Sequence, residues 1–220
     1  MAEKLPTKSF QIKCSCGALQ GSADVVPADG NSRLSCYCDD CQSFVHFLGR
    51  AAEVLDGNGG TEVYQMAPVR VQIGHGSEHL GCVRLRPKGL LRWYATCCNT
   101  PLGNTVATQQ VPFVGLVTAC IDQTAIGESL DALLGPPKKG VHGRFAKGDR
   151  SGLNAYEKAP LGMIFSALGK ILMRRLRGAH KPSPFFDGET GAPVAEPKVL
   201  SEAELREVEG RRDSWVEGRL

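Results

Sequence analysis

Seven of the nine cysteines in this 220-residue chain fall into three short clusters, and that clustering constrains the fold more than any other feature. The clusters are Cys14-Ser15-Cys16, Cys36-Tyr37-Cys38-Asp39-Asp40-Cys41 and Cys97-Cys98. Thiolates are soft donors for zinc, and such short spacings converge sulfurs from a single turn without bending a regular element. A disulfide scaffold fits less well: the number is odd, and residues 1–17 lack the apolar core of an export signal. The expectation is a cytoplasmic metal-thiolate protein, with no apolar run long enough to span a bilayer.

The Cys36-x-Cys38-x-x-Cys41 run is the strongest of the three signals. Three thiolates leave zinc one position short of a tetrahedron, as a catalytic metal requires, unless His46 or a further cysteine closes the site into a structural one. Asp39 and Asp40 lie inside this loop and could act as acid-base groups, but aspartates in such turns more often accept backbone hydrogen bonds, so neither is assigned a catalytic role. Cys82 and Cys120 stand alone in strand-like segments and read as small core hydrophobes. His75 and His79 read as surface histidines.

With 26 glycines and 13 prolines, the chain favours turns and short strands over long helices. Strand-sized apolar stretches occur at residues 9–13, 18–26, 33–36, 61–66, 69–73, 80–85, 90–96 and 112–121, which predicts a mainly β, sandwich-like fold. Helical spacing follows at 40–55, 128–134 and 161–177. The last of these carries an apolar stripe of Leu161, Ile164, Phe165, Leu168, Ile171, Leu172 and Leu176, expected to pack on the β domain. Ser201 and Glu204 form the signature of a capping box opening a final helix. Between the two, Phe185 and Phe186 suggest an extended arm pinned to a surface. The expected division is a zinc-binding β domain at 1–135 and an extension at 136–220.

The order Cys14-x-Cys16-Gly17, then Cys36-x-Cys38-x-x-Cys41, then a cysteine before Thr100-Pro101-Leu102, resembles the signature of the glutathione-dependent formaldehyde-activating enzymes and the centromere protein V group. The resemblance covers about residues 9–123. It implies a zinc-bearing β fold in which Cys36, Cys38 and Cys41 hold a catalytic-type zinc while Cys14, Cys16 and Cys98 belong to a structural one. It also implies carbon-sulfur lyase-type chemistry on glutathione and formaldehyde, giving S-hydroxymethylglutathione. The third cluster departs from the pattern: Ala95 stands where a first cysteine is expected, and Asn99 replaces a glycine. Cys97 is then a substitute fourth ligand, although neighbours in an extended strand point to opposite faces and need a local twist to share one metal. A site of Cys14, Cys16, Cys97 and Cys98, a site with three of these and another donor, and loss of the site all stay open, so one or two zinc ions are expected.

Charge is uneven. Residues 136–181 carry 11 basic and 2 acidic side chains, whereas residues 182–220 carry 5 and 9. Lys138, Lys139, His142, Arg144 and Lys147 could meet the carboxylates of a small thiol substrate, or the belt could dock on the acidic tail. Few aromatics are interleaved (Phe145, Tyr156, Phe165), which argues against nucleic acid. The extension leaves a lid, a homodimer contact or a specificity element open. The alternatives to an enzyme are a non-catalytic zinc-binding interaction module and a redox or metal-buffering protein with Cys97 and Cys98 as a labile pair.

Overall fold

The computed structural model describes residues 7–26, 30 and 32–215. The first strands are β1 (Lys8–Lys13), β2 (Gln20–Val25) and β3 (Ser32–Cys36), followed by helices α1 (Asp39–Phe47) and α2 (Ala51–Val54). Then come β4 (Thr61–Met66), β5 (Val71–His75), β6 (Leu80–Arg84), β7 (Leu91–Ala95), β8 (Thr100–Thr105) and β9 (Val114–Val117). Helices α3 (Gln123–Ile126) and α4 (Leu130–Leu134) lead to β10 (Lys138–Val141), α5 (Leu161–Leu176), β11 (Lys198–Val199) and α6 (Glu202–Ser214). The protein is thus mainly β with short helices, as its turn-rich composition predicts.

Two sheets form: a three-stranded one ordered β1-β2-β5, and an eight-stranded one ordered β10-β3-β4-β9-β8-β7-β6-β11. In β1 the alternate residues Phe10 and Ile12 are buried while Ser9 and Gln11 are exposed, so the small sheet has one apolar face. That face packs on one side of the large sheet, where Tyr64, Met66, Leu91, Trp93 and Leu116 meet it. The opposite side of the large sheet is covered at one end by α1 and α6, around Phe44, Leu48, Val83 and Val208. At its other end lie Leu34, Val63, Val117 and Val141, with Met163 of α5 against them. The three-cysteine group described below sits on this second side, against Leu34 and Val141, whereas Cys14 and Cys98 belong to the core between the two sheets.

Three sequence expectations are corrected. Strand β8 is absent from the sequence reading because Pro101 and Gly103 weaken its signal; the pairing shifts register between Trp93 and Tyr94, where Pro101 faces Tyr94, and so accommodates the proline. Residues 40–55 do not form one helix, because Gly49 (φ 68°) breaks it into α1 and α2. No strand is expected beyond residue 121, yet the stretch from Lys138 begins with one, β10, which runs parallel to β3 at the edge of the large sheet.

The largest correction concerns α5, whose apolar stripe does not pack on the β domain. Leu161, Phe165, Leu172 and Leu176 are 71, 69, 58 and 72% exposed, while Arg174 is 5% exposed on the opposite face. Burying a side chain of this size is worth about 1.5–3 kcal/mol, so the helix forgoes apolar burial to turn Lys170 and Arg174 inward. Among the described residues no helix is long and apolar enough to cross a membrane.

The arm before β11 does reach the core. Phe185 lies 5.1 Å from Trp93, ring centre to ring centre, and Phe186 lies 6.1 Å from it. The capping box is also present: Ser201 Oγ accepts from the Glu204 backbone N–H, and Glu204 accepts from the Ser201 backbone N–H at 2.8 Å.

Candidate metal centre

Two groups of thiols converge, and they are the clusters picked out by spacing: Cys14, Cys16, Cys97 and Cys98 in one, Cys36, Cys38 and Cys41 in the other. Within each group all sulfurs lie within 4.8 Å of one another.

The four-cysteine group joins two turns. Cys14 directly follows β1, and the turn it opens is closed by the Gly17 N–H donating to the Cys14 carbonyl at 2.9 Å, with Gly17 at φ 79°. The backbone N–H of Leu19 donates to the Cys14 sulfur at 3.2 Å. Cys97 and Cys98 lie in the β7–β8 turn rather than in a strand, so the alternation that would separate them does not apply. Asn99 adopts φ 57°, a left-handed conformation that asparagine tolerates better than most side chains, and its N–H closes the turn on the Ala95 carbonyl at 2.8 Å.

Neighbouring sulfur separations in this group are 3.5 Å (Cys14–Cys16), 3.6 Å (Cys14–Cys97), 3.4 Å (Cys16–Cys97) and 3.8 Å (Cys97–Cys98). Zinc with sulfurs at about 2.3 Å in a tetrahedron sets them about 3.8 Å apart, so the donor set fits a closed, four-thiolate ion. Arg50, unremarked in the sequence, ties the two turns together. Its Nη2 donates to the Cys98 carbonyl at 2.7 Å and to Ser15 Oγ at 2.6 Å. Burial opposes ionisation of Cys98, yet hydrogen bonds involving Ser15 and Thr100 bring its thiol down to about 5.

The three-cysteine group straddles the end of a strand and the start of a helix. Cys36 ends β3, Cys38 is the N-cap of α1, and Cys41 sits in its first turn, where the partial positive charge of a helix N-terminus favours thiolate. Cys36 and Cys38 sulfurs are 3.4 Å apart. Contacts from Cys36 and Cys38, and then the guanidinium of Arg92, hold Cys41 well below the ordinary thiol range. Arg92 is 2% exposed and points its Nη1 at the Cys41 sulfur (3.8 Å) and at Asn104 Oδ1 (3.1 Å), while its charge lies over the Phe44 ring. An arginine between Leu91 and Trp93 in a buried strand is the sequence signal that could have found it, since a buried cation requires an anionic partner.

Among the described residues, no histidine or carboxylate joins the three sulfurs within that distance. His46 in particular is not brought to them: its ring is buried edge-on against Trp215, at 6.2 Å between centres. Asp40 instead pairs with Arg86, which also meets Glu209 of α6, and lies 3.9 Å from Arg92, while Asp39 faces Arg212 of α6 at 4.0 Å. Cys82 and Cys120 are buried, and burial pushes both thiols up to about 12, in keeping with core packing.

Cys36 and Cys41 form part of the wall of a cleft of about 260 Å³ between the large sheet and α5. Val63, Asn104, His142 and Met163 line it as well. The basic loop divides: His142 faces this cleft, Lys139 lies over Tyr156, and Lys147 reaches Asp213 of α6 at 3.3 Å.

A profile described as a family of unknown function, DUF6151, matches residues 6–198. The chain belongs to that family. The DUF6151 match spans both thiol groups and all of α5. No curated protein matches the chain. A crystal structure of a Rhodobacter sphaeroides protein, a structural-genomics target, is similar with a TM-score of 0.38 and 15% identity, over 56% of this chain and 94% of that one.

Proposed function

We propose that this protein is a zinc-dependent enzyme of the carbon-sulfur lyase type, acting on a small thiol or thiol adduct in the cleft beside Cys36, Cys38 and Cys41. One observation carries the reading: three sulfurs converge on a cleft wall and, among the described residues, no fourth protein donor completes the set. Three thiolates with an accessible remaining position are the donor set of a metal that takes a substrate atom, whereas the four-cysteine group has the composition of a structural ion. The resemblance of the cysteine pattern to the formaldehyde-activating and centromere protein V group points to the same assignment and to a related fold.

A zinc ion held by Cys36, Cys38 and Cys41 would supply Lewis acidity and, with three thiolates already bound, a preference for soft sulfur over hydroxide generation. The chain's own residues do the rest. Arg92 offsets the excess negative charge of the thiolates, and its contact with Asn104 fixes the guanidinium. Apolar side chains of Val63 and Met163 limit water around the reacting atoms. Gln42 donates to the carbonyls of Tyr37 (2.7 Å) and Phe145 (3.0 Å), holding the cysteine loop to the cleft rim. In the reaction type proposed, the thiol sulfur bonds to the carbonyl carbon of formaldehyde, the carbon-oxygen π bond opens, and the thiol proton ends on that oxygen.

The test is metal content followed by turnover. Reduced protein purified with zinc should hold two ions, Cys41→Ser should hold one, and wild type should accelerate S-hydroxymethylglutathione formation measured by proton exchange spectroscopy. Wild-type protein with two ions and no effect on that exchange, or on other thiol adducts, would favour a zinc-binding interaction module instead.

A further inference from the structure

The inward face of α5 suggests what the substrate carries at its other end. A second cavity of about 240 Å³ adjoins the cleft beside the cysteines and shares Leu34, Gln65, Phe113, Met163 and Ala167 with it. Lys138, Lys170 and Arg174 line this end, with Ser32. Lys138 Nζ lies 3.1 Å and Lys170 Nζ 3.4 Å from the same Ser32 hydroxyl oxygen, so two ammonium groups are focused on one point. Among the described residues no carboxylate lies within ion-pair distance of Lys138 or Lys170. Burial, and then the charges of Lys138 and Arg174, push the Lys170 ammonium down from its ordinary range. Like charges gathered in a partly desolvated cavity repel one another, and an anion bound between Lys138 and Lys170 relieves that repulsion.

Strand β3 connects the two ends. Ser32, Leu34 and Cys36 share one face of the strand, and four residues of strand span about 13 Å. A ligand lying along β3 with its sulfur at Cys36 would therefore present its far terminus to Lys138 and Lys170.

We propose that the cleft is bipartite and that its cationic end, Lys138, Lys170 and Arg174 around Ser32, binds the carboxylate or phosphate terminus of an extended thiol whose sulfur faces the three cysteines. The inference rests on the reading of the cysteine end given above. It assigns α5 a positioning role and accounts for the orientation of that helix: the cations are needed inside, and the leucines are left outside.

Calorimetric titration of the zinc-loaded full chain tests it with two matched pairs: reduced glutathione against its diethyl ester, and 4′-phosphopantetheine against pantetheine. The anionic member of one pair should bind at least about tenfold more tightly than the partner that lacks the anionic group, as charge-assisted contacts require. Whichever pair shows the gap identifies carboxylate or phosphate as the source. The gap should shrink to within about twofold in Lys138→Gln/Lys170→Gln, with the affinity of pantetheine unchanged as the folding control, and should persist in Lys139→Gln. Equal affinities within both pairs in wild type, or a gap that survives the double substitution, would overturn the proposal. Failure at the metal end reads differently: with cobalt in place of zinc, an absorption band that no thiol perturbs counts against the cysteine assignment alone. Inorganic phosphate then decides the cationic end by itself. Binding weakened at least tenfold in the double variant supports the site, and no binding to wild type at millimolar concentration sinks it.

Discussion

Arg92 Nη1 lies 3.8 Å from the Cys41 sulfur, at a position where the arginine is almost wholly buried. The pair is interdependent. The guanidinium has no solvent around it and only Asp40, at 3.9 Å, as a further anionic neighbour, and its charge lowers the cost of a thiolate at Cys41.

Replacing Arg92 with methionine keeps most of its volume and removes its charge. Zinc affinity at the three-cysteine group should fall about 10–100-fold, as for other residues that support metal ligands, while the four-cysteine group keeps its ion. Competition with a chromophoric chelator resolves the two sites as two release steps.

Arg50 ties the turn of Cys14 and Cys16 to that of Cys97 and Cys98 through Ser15 and the Cys98 carbonyl. In Arg50→Ala the two turns lose this clamp, and affinity at the four-cysteine group should fall about 10-fold or more, the reverse pattern to Arg92→Met. Unchanged release kinetics at both sites would show that the backbone turns alone hold the sulfurs together.

His46 should make stability fall in mild acid. Burial, and then the charges of Arg211 and Arg212, lower its pKa to about 4 from an ordinary 6.5. The unfolded chain therefore takes up a proton that the folded one refuses, so the contribution is complete above pH 6.5 and is lost as pH falls towards 4. Between pH 7 and 5.5 the loss amounts to about 1 kcal/mol. Urea unfolding of wild type against His46→Phe isolates it: the pH slope should be smaller in the variant, with metal retention followed in parallel.

Phe185, 1% exposed and stacked near Trp93, makes the arm part of the β core rather than an appendage. Phe185→Ala should cost about 3–5 kcal/mol in denaturant unfolding. A loss below about 1 kcal/mol would mean that the arm is peripheral to stability.

The sequence carried the donor sets. Spacing within Cys14–Cys16, Cys36–Cys41 and Cys97–Cys98 is a local property, and sulfurs confined to single turns have few ways to spread, so the clusters that could hold a metal ion could be picked out from the chain alone. The β-rich class and the Ser201–Glu204 cap were equally legible, because alternation and capping are encoded within a few residues. The tertiary structure decided what depends on residues distant in the chain. Whether Cys97 and Cys98 could share a centre turned on a hairpin geometry set by Asn99 and on the approach of β1, which the strand rule for neighbouring side chains misjudged. Arg92, Asn104 and Arg50 act through partners 12 to 51 residues away. Above all, the period of α5 fixes that it has an apolar and a cationic face but not which one turns inward. That choice belongs to the surface it meets, and here it is a cleft lined by Ser32, Lys138 and the strand that ends in Cys36.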